Sequence, residues 1–130
     1  MLEYNNKLSE IVDHCISKAK KKGATDVEVG ILKSTSETVS FRNKKLDESD
    51  RSENIGLSLT AYINKKKNSV LSSNLKTDNL EKLIERCVEA AKITPEDEFN
   101  SLPDEELFFK NSDELDLFDK THLENSQKID

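Results

Sequence analysis

Five consecutive odd positions, Ile55, Leu57, Leu59, Ala61 and Ile63, are apolar, and Gly56, Ser58, Thr60 and Tyr62 stand between them. Side chains of a strand point alternately to its two faces, so this stretch buries one face and leaves the other to small and polar groups. It predicts a central strand in a sheet covered on one side. The cover is supplied by two helical stripes. Leu8, Ile11, Val12, Cys15, Ile16 and Ala19 recur at helical spacing, and Gly23 follows as a residue able to take positive φ, which predicts a helix over about residues 6–22. Leu80, Leu83, Ile84, Cys87, Val88 and Ala91 form the second stripe, entered through Thr77 or Asp78 as a cap, with an Asp78 to Glu81 capping-box spacing, and ended by Pro95.

Between the helices, Val27, Val29 and Ile31 alternate with Glu28, Gly30 and Leu32, and after a polar Ser34-Thr35-Ser36 break Val39 and Phe41 alternate with Ser40 and Arg42, which predicts a first hairpin. The polar stretch 43–54 is compatible with a strand end, a bulge or a loop. Residues 64–67 supply a turn, and 69–73 return as a shorter strand around Val70 and Leu71. Hairpin spacings are short and no strand–helix–strand alternation occurs. The expected class is therefore α+β: a mostly antiparallel sheet of about four strands with two amphipathic helices packed on one face, plus an extended acidic C-terminal arm.

Charge divides the chain at the end of the second helix. Residues 1–93 carry 17 basic and 14 acidic side chains, whereas residues 94–130 carry 3 and 12. The organisation expected is a helix–sheet–helix core over residues 1–93, an extended acidic and hydrophobic arm over 94–120, and the start of a further helix over 121–130, signalled by Thr121-x-x-Glu124. The arm interleaves its acids with Phe99, Leu102, Leu107, Phe108, Phe109, Leu115, Leu117 and Phe118, more apolar residues than a freely disordered tail usually holds, so it is expected to lie over its own domain or to meet a partner.

Most function classes find no support. The runs Lys20-Lys21-Lys22 and Lys65-Lys66-Lys67 lack the interleaved aromatics of a nucleic-acid surface and read as a helix end and a hairpin tip, so no nucleic acid is expected. No apolar run approaches the ~20 residues that span a bilayer and no signal peptide is evident, so no membrane association is expected and the location should be cytoplasmic. Cys15 and Cys87 fall on apolar helix faces, where reduced, buried thiols are expected.

The only histidines, His14 and His122, are far apart, whereas a zinc site needs three or four converging ligands. Asp47, Glu48, Asp50 and Glu53 sit in a polar stretch without the cleft that would separate their pKa values, and Ser72, Ser73 and Asn74 have no nearby histidine or nucleophile elbow. With glycines only at 23, 30 and 56 there is no phosphate-cradling loop. No residue is nominated as catalytic, cofactor-binding or metal-binding.

The layout nonetheless carries a family resemblance. Gly23-Ala24-Thr25-Asp26 after the first helix, Phe41-Arg42-Asn43-Lys44-Lys45-Leu46, Ile55-Gly56-Leu57, Val70-Leu71-Ser72-Ser73-Asn74-Leu75 and Glu89-Ala90-Ala91 together resemble the N-terminal domain of the TldD/PmbA family. Pro95-Glu96-Asp97-Glu98-Phe99, Leu102-Pro103-Asp104-Glu105-Glu106-Leu107 and Asp113-Glu114-Leu115-Asp116-Leu117-Phe118 are more similar to its PmbA (TldE) branch, long labelled a modulator of DNA gyrase. Asn68 departs from the pattern, since family members often place Gly in the strand turn.

The resemblance implies a noncatalytic N-terminal domain of a PmbA/TldE-like subunit of a cytosolic metalloprotease heterodimer involved in peptide processing. Its partners would be a TldD-like protease subunit and unfolded peptide. Zinc is expected in that partner, whose HExxxH motif lies well beyond an N-terminal domain. The alternative is a free-standing protein-binding adaptor of the gyrase-modulator type, acting through the acidic arm.

Overall fold

The computed structural model describes residues 2–110, 117, 119, 121 and 123–128. Its elements run α1 (Leu2–Lys21), β1 (Asp26–Arg42), β2 (Lys45–Ile63), β3 (Lys66–Ser72) and α2 (Thr77–Ile93), followed by 3₁₀ turns at Glu105–Leu107 and Asn125–Lys128. Leu115, Phe118 and His122 lie outside the described residues. The sheet order is β1-β2-β3, so the strand with the clearest alternation is the central one.

The α+β class stands, with three strands in place of about four. The hairpin expected from residues 27–31 and 39–41 is one continuous strand, because the intervening Ser34, Thr35 and Ser36 are compatible with extended backbone and no residue there takes positive φ. The chain reverses instead at Asn43 and Lys44, with φ of 51° and 60°, the pair of left-handed residues that a two-residue type I′ turn requires. The polar stretch 43–54 thus becomes this turn and the outer half of β2. In the second turn the positive φ falls on Asn64 at 55°; Asn68 lies within β3, where its amide nitrogen faces Cys87 Sγ.

The chain divides into two compact units, Met1–Lys33 with Asn54–Leu102, and Ser34–Glu53 with Pro103–Asp130. In the first unit, Leu57, Leu59 and Ala61 of β2 face a core completed by Val27, by Cys15 and Ala19 of α1, and by Leu80, Ile84, Cys87, Val88 and Ala91 of α2. Small residues on α1 let the helices approach closely. Lys18 reaches Glu81 at 2.9 Å and Lys22 reaches Glu85 at 3.1 Å; both partners advance by one turn in the same sense, so α1 and α2 run parallel. The Lys18 hydrogen bond and charge hold the Glu81 carboxyl below its ordinary range.

Both helix ends have identifiable stops. Gly23, at φ 108°, closes α1 in a Schellman arrangement: the Ala24 amide bonds the Ala19 carbonyl at 3.1 Å and the Gly23 amide bonds that of Lys20 at 3.0 Å. At α2 the expected capping box is absent. The helix starts at Thr77, with Lys76 as N-cap and no side-chain cap, which puts Asp78 inside the first turn and Glu81 too far along to complete a box. Asn74 and Asn79 organise the approach instead, Asn79 Nδ2 donating to the Asn74 carbonyl at 2.8 Å and to Ser72 Oγ at 3.1 Å. Thr94, held extended before Pro95, ends α2 and returns its hydroxyl to the Ala91 carbonyl at 2.8 Å.

The second unit contains the outer halves of β1 and β2. Arg51 bridges Glu37 at 2.9 Å and Glu53 at 2.8 Å, and Lys128 reaches the other oxygen of Glu37 at 2.7 Å. Val39 and Phe41 are half-buried, and Leu107, Phe109 and Leu117 stand exposed.

Candidate functional surface

Several described side chains with catalytic potential are engaged in structural contacts. On the outer half of β2, Asp47 pairs with Arg42 at 3.4 Å and Glu53 with Arg51 at 2.8 Å, while Glu48 and Asp50 are exposed. Ser72 Oγ donates to the Asn74 carbonyl and accepts from the Asn74 amide and Asn79 Nδ2, which makes it a turn residue, not a nucleophile.

Both cysteines are free and fully buried, and burial pushes both thiols up. Cys87 Sγ donates to the Asn68 carbonyl at 3.2 Å. His14 is half-buried on α1 beside Glu81, with Nε2 shielded and without a hydrogen-bond partner, in a depression walled by Leu8, Ile11, Ile55, Leu75 and Leu80. Among the described residues no three His, Cys, Asp or Glu side chains come together as metal ligands. No described helix is long and apolar enough to cross a membrane.

Some members of the lysine runs make structural contacts. Lys20 and Lys21 sit in the last turn of α1, favourably placed against the helix dipole. Lys66 Nζ donates to the Lys92 carbonyl at 3.2 Å, in the last turn of α2.

What remains distinctive is the sheet face turned away from the helices. In the β2–β3 register Ser58 pairs with Leu71, Thr60 with Ser69 and Tyr62 with Lys67, and these three rungs face outward. Thr60 and Ser69 share a hydroxyl hydrogen bond of 2.8 Å. Tyr62 is only 8% exposed, and burial first, then the Glu28 carboxylate, raises its hydroxyl pKa. Beyond these rungs the face turns apolar. Gly30, Gly56 and Ser58 floor a groove of about 550 Å³ flanked by Leu32, 74% exposed, and Leu71, 80% exposed.

Sequence reading missed this groove because it weighed Gly56 and Ser58 only as the polar half of an alternating strand. The available signal was the pairing of two mid-strand glycines, at 30 and 56, with leucines on the same outward parity.

Comparison with known proteins fits this domain into a wider group. The family model described as PmbA/TldA metallopeptidase domain 1 matches residues 27–91, from β1 through nearly all of α2. Over 114 residues the chain is 30% identical to the metalloprotease PmbA homolog of Buchnera aphidicola, covering 86% of this chain and 26% of that protein. Its fold resembles that of a putative modulator of DNA gyrase from Bacteroides thetaiotaomicron, with a TM-score of 0.74 at 21% identity over 81% of this chain and 24% of the other. TldE from Thermococcus kodakarensis superposes with a TM-score of 0.63 at 16% identity, covering 72% of this chain and 21% of that one. The chain spans about a quarter of the length of the relatives it matches.

Proposed function

Because the chain belongs to the PmbA/TldD metallopeptidase family and matches its first domain on the PmbA (TldE) branch, we propose that it acts as a noncatalytic N-terminal domain of a TldE-like subunit. That subunit would work beside a TldD-like, zinc-bearing partner in a cytoplasmic protease that processes peptides. The observation that carries this reading is the family match over residues 27–91, supported by a 30% identical relative named as a metalloprotease homolog. Among the described residues, Asp47 and Glu53 are ion-paired and both thiols are buried, which is compatible with this reading.

The test is peptide hydrolysis with zinc analysis on this chain, on a full-length TldE-like protein containing it, and on that protein mixed with a TldD-like subunit. Activity and metal appearing only in the mixture are expected. Zinc-dependent cleavage by this chain alone would overturn the noncatalytic assignment.

The adaptor reading retains one specific support, the exposure of Leu107, Phe109 and Leu117 among acidic residues, together with the gyrase-modulator description of a structural relative. It requires binding to a protein partner without any protease subunit, and pull-down of purified gyrase by this chain alone distinguishes it.

A further inference from the structure

The first unit holds a second depression, on the helix side of the sheet. Leu8 and Ile11 of α1, Ile55 of β2, Leu75 before α2 and Leu80 within it wall a space of about 690 Å³, inside the range of about 300–1,000 Å³ usual for small-molecule sites. Among these aliphatic walls α1 also places His14, whose Nε2 is shielded from solvent and has no hydrogen-bond partner. Among the described residues no other shielded side-chain nitrogen or oxygen is left in this state. A buried polar atom without a partner costs stability until something completes it. A lone water is a poor complement, because it needs about two to four polar partners and finds few among aliphatic side chains.

The rim adds a charge bias. Lys7 of α1 and Lys76, the residue before α2, both line it, and neither forms an ion pair with a described residue. Thr77 opens α2 on the same rim without a side-chain cap, so the first amides of that helix add to the positive side. Glu10 supplies the opposing charge.

We propose that this depression binds a straight-chain monocarboxylate, with its alkyl tail against the aliphatic walls, its head towards Lys7 and Lys76, and His14 Nε2–H donating to a carboxylate oxygen. The lining selects this class. A cationic head would meet two ammonium groups against one carboxylate, and an alkane would leave His14 Nε2 unpartnered. A small anion without a tail would leave the walls wet, and a second charge at the far end of the chain would be stranded among aliphatic side chains. A single carboxylate on an apolar chain satisfies the imidazole, the lysines and the walls together.

The experiment titrates the whole chain with decanoate, below its micelle concentration, and follows amide shifts and the ¹⁵N resonance of His14 Nε2. Saturable single-site shifts at Ile11, Ile55, Leu75 and Thr77 are expected, with the His14 Nε2 resonance moving in step. His14→Phe, which keeps a ring and removes the nitrogen, should weaken binding by about tenfold or more. Lys76→Gln, at an exposed position, should weaken it several-fold, and Glu10→Gln should tighten it. Decanol should bind the unmodified chain at least about tenfold more weakly than decanoate. The proposal is overturned if decanoate does not saturate these shifts, if decanol or decyltrimethylammonium binds as tightly, or if Lys76→Gln and His14→Phe leave the affinity unchanged. Should His14→Phe fail to fold, Lys76→Gln and the three head groups decide the matter. Binding to phosphatidylglycerol vesicles without binding of monomeric decanoate would assign the face to a membrane surface and overturn the proposal as well. Because the assay uses this chain alone, its failure leaves the family-based reading of a protease subunit standing.

Discussion

The two units share the strands β1 and β2 yet are held by different forces. In the unit of Met1–Lys33 and Asn54–Leu102, twelve buried side chains from both helices and the sheet form one apolar cluster. In the unit of Ser34–Glu53 and Pro103–Asp130, none of the described residues is fully buried, and its described anchor is the charged set Arg51, Glu37, Glu53 and Lys128. Burial of apolar area is roughly additive and indifferent to salt, whereas exposed ion pairs contribute about 0–1 kcal/mol each and are screened. Strand length therefore says little about where stability resides. One strand can be a core element over its first half and a solvated ribbon over its second.

This contrast can be broken by mutation. Ile84→Ala, which empties a fully buried site on α2, should destabilise the chain by about 2–5 kcal/mol in urea unfolding; a loss under about 1 kcal/mol would mean that the cluster is not the stabilising centre. Gly23→Ala, which forces a Cβ onto a φ of 108° at the α1 stop, should cost about 1–2 kcal/mol. Equal stability of the two proteins would show that the Schellman turn can be replaced.

A pH series sharpens the same comparison. Burial raises both thiols, so the folded chain keeps their protons to higher pH than the unfolded chain does. Their contribution is fully present below the unfolded thiol value, about 8.5, and is lost as pH rises through the raised folded values. The urea midpoint should fall from pH 7 to pH 10, and less so in a Cys15→Ala/Cys87→Ala variant compared with its own value at pH 7. An identical slope in both proteins would remove the thiols from the account. The smallest effect belongs to the other unit: Arg51→Ala should change global stability by less than about 1 kcal/mol, with a difference that shrinks in salt. Faster amide exchange should be confined to residues 34–53. A large global loss would mean that the charged set supports the core.

Much of the first unit was legible because its signals are local and periodic. The odd positions from Ile55 to Ile63, the two helical stripes and Gly23 each fix an element without reference to anything distant. The polar half was harder to read. Ser34-Thr35-Ser36 looks like a break, but serine and threonine tolerate strand geometry, and pairing along the partner strand decides the outcome. Asn43-Lys44 was a weak turn signal because Lys44 lacks the usual tolerance for positive φ. The capping box failed because α2 begins at Thr77, upstream of Asp78, so that Asp78 lies within the first turn and cannot act as its cap.

By itself the sequence determined the α+β class, the buried face of β2, both amphipathic helices and the motif pattern by which the family is identified, since each depends on residue type at fixed spacing along the chain. Tertiary structure alone decided the strand count, the parallel packing of α1 and α2, and the juxtaposition of Gly30, Gly56, Leu32 and Leu71 in one groove. These depend on which strands pair and in what register, and hydrogen-bonded neighbours in a sheet stand about 4.8 Å apart however far apart they lie in the chain.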